Sequence, residues 1–297
     1  MVTRADFIKQ TMAVSAVAAF PNAFGDEKGR IDYKELQREI DNVSPAQFAD
    51  YLKGGQTADK PALQRLDEAF EKVLAEVKSI SVTGAPAVWL VYNMGVVVKT
   101  REACFTIDLK HRNAVQMAPL LDFALISHNH DDHFTESFYR AMNGAGKTVI
   151  SNFKDNYGVK DRKIGGYTRA DKTFRIADVE IRTSLTDHNP YLVDFTSVFE
   201  INVNGFRILH SGDCFTVGKL NPSQAPDLWI VHPRCGMNVA DGVRKFSPKV
   251  TAIAHLNELG HAKGHARWTY EDGLFEVAKV EKEGGRAVMP LWGERIV

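Results

Sequence analysis

The sequence predicts an α/β fold in which two mixed sheets are flanked by helices and preceded by a helical extension. A β-rich region with few crossover helices begins after Gly84-Ala85-Pro86 and continues to the C-terminus. The residues before it carry helical periodicity, and one strand of the β-rich region ends in a segment rich in histidine and aspartate at residues 128–133. Because few helices separate the strands, a two-sheet sandwich fits the pattern better than a doubly wound parallel sheet.

Residues 1–25 have the composition of an export signal. Arg4 and Lys9 precede a short apolar run, and Ala23-Phe24-Gly25 forms a small-residue cleavage site. The apolar run is too short to span a bilayer permanently. We therefore expect an exported, periplasmic protein, and the alternative is an amphipathic first helix of a cytoplasmic protein.

Residues 26–80 are predicted to form the helical extension. Leu36, Ile40 and Val43 lie on one apolar stripe, and a second stripe recurs at helical spacing between residues 63 and 77. The breaker Gly54-Gly55 separates the stripes, so we expect two helices. They are expected to pack on the main domain or on a second subunit, which would make a homo-oligomer, and the alternative is a lid over the active site.

Residues 81–297 are predicted to form the main domain. Its predicted strands are residues 88–92, 96–99, 104–108, 123–127, 148–151, 179–183, 197–203, 206–211, 228–231, 250–254 and 287–290, and its predicted helices are residues 135–142 and 271–281. A chain of 297 residues with 44% hydrophobic residues can bury a sizeable core.

Charge and cysteine usage disfavour some functions. Lys plus Arg and Asp plus Glu number 37 each, so no global field favours nucleic acid as a partner. The cysteines Cys104, Cys214 and Cys235 are far apart and form no C-x-x-C pair. We therefore expect neither a disulfide framework nor a thiolate zinc site, and interpret them as core residues.

The segment His128-Asn129-His130-Asp131-Asp132-His133 carries the chemistry. Burying such a group without a partner would be costly. Alternate residues of an extended segment point to one side, so His128 and His130 can face one metal while Asp132 and His133 turn toward a second. Imidazole and carboxylate ligands suit zinc, iron or manganese. The alternative interpretation is a solvated polar loop.

The spacing H-x-H-x-D-H resembles the signature of the metallo-β-lactamase superfamily, and the resemblance extends from about Ala87 to the C-terminus. Residues 89–92 and 105–108 look like the opening strands of that fold. The resemblance implies a metallo-β-lactamase αββα sandwich with a site for two divalent cations, with zinc expected before manganese or iron.

The resemblance also implies a set of ligands. One cation would be held by His128, His130 and His188, the other by Asp132, His133 and His255, and Asp213 would bridge them. His188 follows a predicted strand, and Asp213 and His255 each close one. His261 and His265 lie near enough in sequence to compete with His255 for the last position.

The resemblance implies a hydrolase acting on a small molecule. A metal-bound water can have its pKa lowered to about 7, and Asp132 would orient this nucleophile and take its proton as the catalytic residue. The bond cleaved would be an ester, lactone, thioester or phosphodiester. Residues 211–214, 226–231 and 252–255 resemble the ascorbate-6-phosphate lactonase-like branch, and Asp213, where the commonest β-lactamases have cysteine, disfavours antibiotic hydrolysis.

Three rival functions stay open at this stage. A mononuclear iron sulfur-oxygenase of the fold keeps the histidines, whereas diiron oxidoreductases resemble H-x-E-x-D and His130 departs from that pattern. A nuclease is disfavoured by the neutral charge. A non-catalytic binding protein is disfavoured because every implied ligand is present.

For other residues near the implied ligands, the sequence predicts places and roles as follows. His111 is expected at the surface, His210 in the core and His232 either in the core or facing the site. The candidates for holding an anionic substrate are Arg234, Lys263 and Arg267, with ordinary surface charges as the alternative, and the candidates for an apolar wall are Trp268, Tyr270 and Trp292, with core packing as the alternative.

Overall fold

Two mixed β-sheets form the centre of the molecule. The computed structural model describes residues 32–153 and 172–297, so the predicted export signal lies outside the described residues. The first sheet has the order β1-β2-β3-β4-β5 and the second the order β12-β11-β10-β9-β8-β7-β6. The strands are β1 Ala87–Tyr92, β2 Gly95–Lys99, β3 Cys104–Ile107, β4 Phe123–Leu125, β5 Thr148–Ile150, β6 Lys172–Ile176, β7 Val179–Thr186, β8 Thr196–Val203, β9 Phe206–His210, β10 Leu228–Val231, β11 Val250–Ile253 and β12 Ala287–Val288.

Helices cover the outer faces of the sheets. They are α1 Tyr33–Asp41, α2 Pro45–Leu52, α3 Pro61–Ser79, α4 Glu136–Gly144, α5 Val239–Phe246 and α6 Tyr270–Lys282, with 3-10 turns at Ala114–Leu120 and Val217–Lys219. Alternation along the strands builds two cores. In β1, Val88 and Leu90 point into the core between the sheets, whereas Trp89 and Val91 pack against the helices. The predicted αββα sandwich with helices at its N-terminus is therefore confirmed.

Strand direction brings many loops to one edge. In the first sheet β3, β4 and β5 run parallel, and in the second sheet β9 to β12 run parallel. Strand β7 is antiparallel to β8, which is antiparallel to β9, so β7 ends at the same edge as β9. Ligands of such sheets bind beyond the carboxyl ends of the strands.

The expectation of two helices in the extension was wrong, because its described part, residues 32–80, contains three. The first predicted helix stops at Asp41, and α2 begins at Pro45. The Ser44 side chain caps the new helix and forms a capping box with Gln47. Proline is tolerated in the first turn of a helix but breaks its interior, so Pro45 fixes the interruption.

The extension packs on the main domain. The Phe48 and Tyr92 rings lie 5.4 Å apart. The indole Nε1 of Trp89 donates to Glu76 Oε2 at 2.6 Å, which joins β1 to α3. Among the described residues, no helix is both long enough and apolar enough to cross a membrane.

His111 is buried, so its expected place at the surface was wrong. Its ring stacks on Phe70 with centroids 4.2 Å apart. Its Nδ1 accepts from the Asn113 backbone at 3.0 Å, so Nε2 carries the proton and donates to Tyr51 Oη at 2.6 Å. His111 therefore links the extension to the loop that follows β3.

Candidate metal centre

The residues that the sequence singled out converge at the carboxyl ends of the strands. Two groups of candidate ligands form there, His128 with His130 and His188, and Asp132 with His133, Asp213 and His255. Within each group the ligand atoms lie within 4.8 Å of one another. The two groups arise from the segments after β4, β7, β9 and β11. That these residues bind metal stays a prediction.

The first group consists of three imidazoles. The ring centroid of His130 lies 4.7 Å from that of His128 and 4.5 Å from that of His188. The Phe195 ring packs on this set, 5.0 Å from His130. An apolar ring beside the imidazoles favours their neutral form, which is the form that binds metal.

The second group is centred on Asp132. Its Oδ2 lies 3.0 Å from His255 Nε2 and 3.2 Å from His133 Nε2. Asn93 donates from Nδ2 to the same oxygen at 3.1 Å. The His255 backbone, at a φ of 55°, donates to Asn93 O at 3.1 Å, so the loop after β1 positions both side chains.

Asp213 lies between the two groups. Its Oδ1 is 3.2 Å from His133 Nε2, and its Oδ2 is 3.3 Å from His188 Nε2. Gly212 makes this placement possible, because it has a φ of 50° and a Cβ there would lie 2.6 Å from the Thr196 side chain. The two oxygens of one carboxylate thus face different groups.

Four buried atoms at the contacts between Asp213 and the imidazoles have no hydrogen-bond partner among the described residues. They are Nε2 of His128, His133 and His188 and Oδ1 of Asp213. Leaving such atoms unpaired is costly, so they indicate a missing partner. Imidazole nitrogens and carboxylate oxygens are donors that suit a divalent cation such as zinc, so the residues fit the metal that the fold implies.

Hydrogen bonds behind the site fix the imidazole tautomers. Asp108 accepts from His133 Nδ1 at 2.9 Å and from Ser127 Oγ at 2.6 Å. Since the Ser127 hydroxyl donates to Asp108, it accepts from His128 Nδ1 at 3.0 Å. When either ring is neutral, its proton therefore lies on Nδ1, and its Nε2 faces the site with a lone pair that can bind a metal.

Asp108 is the functional residue that the sequence interpretation missed. It was treated as the end of an opening strand, yet it is fully buried at a φ of 51°. The available signal was a carboxylate closing an apolar strand, since a buried aspartate needs several donors.

The carboxylates and imidazoles of the site shift one another's pKa values. Burial alone would raise the pKa of Asp132 and of Asp213, but the neighbouring His133 holds both well below their usual value. Burial would lower the pKa of His133, and Asp132, Asp213 and Asp108 instead raise it well above its usual value. Burial together with His133 lowers the pKa of His128. Ionised carboxylates surround these imidazoles, and a cation would compensate them.

The structure separates the three candidates for the last position. His255 lies in the second group. His261 instead pairs with the buried Glu258, with Nδ1 and Oε2 2.6 Å apart. His265 is exposed and belongs to neither group.

His232 faces the site. Its ring is buried and stacks on His255 with centroids 3.8 Å apart and planes 4° apart. The Arg234 backbone donates to its Nδ1 at 3.2 Å. His210 is buried in the core, as expected, with Nε2 3.0 Å from Met94 O.

The three basic residues considered as anion holders all have partners. Arg267 was expected to hold an anion or lie at the surface, and instead it is buried and donates to four backbone carbonyls. Arg234 donates to Asp272 Oδ1 at 3.2 Å, and Lys263 pairs with Asp41 at 2.6 Å.

Aromatic and cysteine residues divide between the core and the site. Tyr270 is buried, and Trp292 packs 5.5 Å from Tyr92, so both contribute to packing. Trp268 is partly buried, and the Arg234 guanidinium lies 5.7 Å from its ring centroid. Among the cysteines, Cys104 and Cys214 are buried as expected, whereas Cys235 is partly exposed and lies in a candidate ligand group with His188 and Asp213.

Two mixed sheets flanked by helices, with histidines and aspartates at the strand ends, define the metallo-β-lactamase fold. Residues 96–232 match the family model described as "Beta-lactamase superfamily domain". That match includes every implied ligand except His255. No curated protein matches this sequence significantly.

Solved structures share the fold at low sequence identity. The metallo-β-lactamase fold protein YhfI from Bacillus subtilis is 13% identical, with 73% of this chain and 95% of that chain covered and a TM-score of 0.52. Igni18, a metallo hydrolase from Ignicoccus hospitalis, is 15% identical, with 71% and 97% covered and a TM-score of 0.55. CmlA, a diiron β-hydroxylase from Streptomyces venezuelae, is 14% identical, with 88% and 62% covered and a TM-score of 0.52.

Proposed function

We propose that this protein is a metal-dependent hydrolase of the metallo-β-lactamase superfamily that acts on a small molecule with two divalent cations, zinc before manganese or iron. The observation that carries the proposal is the convergence of His128, His130 and His188 with Asp132, His133 and His255 around Asp213, with four buried donor atoms lacking a partner among the described residues. When bound, the cations would lower the pKa of the attacking water to about 7 and polarise the oxygen of the scissile bond.

The chain's own residues orient the reaction. The Asp132 side chain is 15% exposed, against 6% for Asp213, so Asp132 is the carboxylate that can reach a water molecule. Asn93 holds one of its oxygens, which leaves the other to orient the nucleophile and accept its proton. The His232 ring covers one face of His255 and excludes water from that side.

Among the candidate bonds, an ester, lactone or thioester is favoured over a phosphodiester as the bond that the enzyme cleaves. Arg234 and Arg267, the arginines considered from the sequence as anion holders, are committed to Asp272 and to backbone carbonyls, so neither is available for a phosphate. The resemblance of residues 211–214 and 226–231 to the ascorbate-6-phosphate lactonase-like branch supports a lactone. The balanced net charge argues against a nuclease.

A substrate screen with a matched pair of variants tests the proposal. The full chain, loaded in turn with zinc, manganese or iron, is assayed on a lactone, a carboxylic ester, a thioester and a phosphodiester. Asp132→Asn should lower kcat/KM at least about 100-fold, whereas the exposed neighbour Asp131, changed to Asn, should leave it within about twofold. Absence of hydrolysis with every metal, or an equal effect of both substitutions, contradicts the proposal.

A second candidate is an oxygen-using iron enzyme. The match to the diiron β-hydroxylase CmlA covers 88% of this chain, and the domain after residue 80 is too short to account for that share, so the match reaches into the helical extension. The mononuclear iron sulfur-oxygenase considered from the sequence belongs to the same class. Iron retained on purification together with oxygen uptake on a persulfide would favour this class, and zinc without oxygen uptake would exclude it.

A further inference from the structure

We propose that Cys235 supplies a sulfur ligand to the cation held by His128, His130 and His188. The proposal rests on the metal centre of the proposed function and adds a donor that the sequence resemblance does not imply. Cys235 Sγ lies within 4.8 Å of a ligand atom of His188 and of a carboxylate oxygen of Asp213. Those two atoms also lie within 4.8 Å of each other.

Asp213 provides the independent indication that something binds here. It is 5% exposed, and its Oδ1 has no hydrogen-bond partner among the described residues. Its Oδ2 is 3.3 Å from His188 Nε2, a buried nitrogen that also lacks a hydrogen-bond partner in the described part of the chain. A sulfur, a nitrogen and an oxygen donor thus surround one position, a combination that suits zinc or cobalt.

Local structure holds the thiol in place. Strand β10 ends at Val231, and Pro233 stiffens the turn that follows. Cys235 donates from Sγ to the carbonyl of His188 at 3.4 Å. Gly236 has a φ of 115°, and a Cβ there would lie 2.2 Å from the Phe215 ring, so the chain after the cysteine closes against Phe215.

The other cysteines lack this placement. Cys214 follows Asp213 directly, yet its Sγ contacts Thr186 Oγ1 at 3.1 Å and it belongs to none of the candidate ligand groups among the described residues. Cys104 is buried near the opposite end of the first sheet, where its backbone N–H donates to Asp122. Sequence proximity to a ligand therefore does not explain the position of Cys235.

The change on binding is a simple exchange. The S–H bond of Cys235 breaks, a sulfur–metal bond forms, and the proton leaves to solvent while the hydrogen bond to His188 O is lost. No oxidant or reductant takes part.

Cobalt(II) spectroscopy on the full chain tests the proposal. The unmodified chain and Cys214→Ser should show a thiolate-to-cobalt charge-transfer band in the near ultraviolet, and Cys235→Ser should lose it while keeping the visible cobalt bands that the histidines and aspartates produce. A thiolate-to-cobalt band that persists in Cys235→Ser overturns this inference. Visible cobalt bands without any thiolate band in the unmodified chain also overturn it, but leave the proposed metal centre intact. A chain that binds no cobalt overturns the proposed metal centre as well.

Alkylation of the unmodified chain gives a second test that needs no variant. With a chelator present, iodoacetamide should label Cys235 slowly, because burial and the Asp213 carboxylate raise the pKa of its thiol, and zinc should slow this labelling further, at least about tenfold. Labelling of the buried Cys214 should be slow in both states. Equal labelling of Cys235 with and without bound zinc contradicts the proposal.

Discussion

Asp108 decides which nitrogen of His133 faces the site, because it accepts from Nδ1 at 2.9 Å. An amide at this position can present its NH₂ group to the ring and favour the wrong tautomer. We expect Asp108→Asn to weaken metal affinity about 10- to 100-fold. The measurement is competition for zinc against a chromophoric chelator.

Asp122 provides the matched control for Asp108. Asp108 accepts from the backbone N–H of Ser127 at 2.7 Å. Asp122 likewise accepts from a backbone N–H, that of Cys104 at 2.8 Å, but it lies at the start of β4, remote from the site. Asp122→Asn should leave zinc affinity unchanged. An equal loss in both variants would show that general destabilisation, and not the tautomer of His133, weakens binding.

His111 makes stability depend on pH. Burial, with Arg112 nearby, lowers its pKa to about 3. Above about pH 6.5 the ring is neutral in both states, and below it the unfolded chain binds a proton that the folded chain does not. The free energy of unfolding should therefore fall as the pH falls from about 6.5 toward 3, by up to about 1.4 kcal/mol per pH unit.

Chemical denaturation with His111→Gln isolates this contribution. Glutamine keeps a donor for Tyr51 but does not titrate, so the variant should lose about 1 kcal/mol less than the unmodified chain between about pH 6.5 and 5.5. Parallel pH curves for the two chains would show that another group is responsible.

At the scale of elements, Arg267 fastens α1 to the loop that follows β11. Its guanidinium donates to Ile40 O and Val43 O at the end of α1 and to Glu258 O and Leu259 O in the loop. Removing a buried charged donor leaves these carbonyls unpaired. Arg267→Met should lower the free energy of unfolding by about 3 kcal/mol, measured by urea denaturation.

Lys263 offers a comparison on the same contact between α1 and the loop. It pairs with Asp41 at 2.6 Å, but its side chain is 66% exposed. Lys263→Met should cost under about 1 kcal/mol. A similar cost for the two variants would mean that Arg267 acts only as a surface charge.

The elements that sequence could predict are those with one dominant local signal. Among the described residues, eleven of the twelve strands coincide with strands predicted from the sequence, and the capping box at Ser44 is a local signal of the same kind. Strand β6 was missed because Lys172–Ile176 is largely polar and lies at a sheet edge. Helix α5 was missed because Gly242 lowers its helical propensity, yet a Cβ there would lie 2.4 Å from Trp229, so packing requires the glycine.

The site shows the same division between local and long-range information. The segment at residues 128–133 has its own signature, and Asp213 and His255 close predicted strands. The stacking of His232 on His255 and the position of Cys235 beside His188 depend on contacts between distant loops. No local pattern in the sequence encodes these contacts, so the roles of His232 and Cys235 could be assigned only from the structure, whereas Asp108 had a local signal as a carboxylate that closes an apolar strand.

At the scale of the whole molecule, export and assembly stay predictions. If residues 1–25 act as a signal, expression in a bacterial host with a periplasm should yield a mature chain beginning near Asp26, which intact mass spectrometry would detect. Recovery of the full-length mass in the cytoplasmic fraction would contradict export. Light scattering would test the expected homo-oligomer.

Strands β4, β7, β9 and β11 end at one place, where the two groups of candidate ligands meet at Asp213. We propose that two cations bind there, one in each group. The most direct measurement is the metal content per chain after zinc loading and desalting. We predict about two zinc ions for the unmodified chain, one for His130→Gln, one for His255→Gln and fewer than one for Asp213→Asn, with His265→Gln retaining both. An unmodified chain without bound metal, or an Asp213→Asn chain with the full content, would contradict the account.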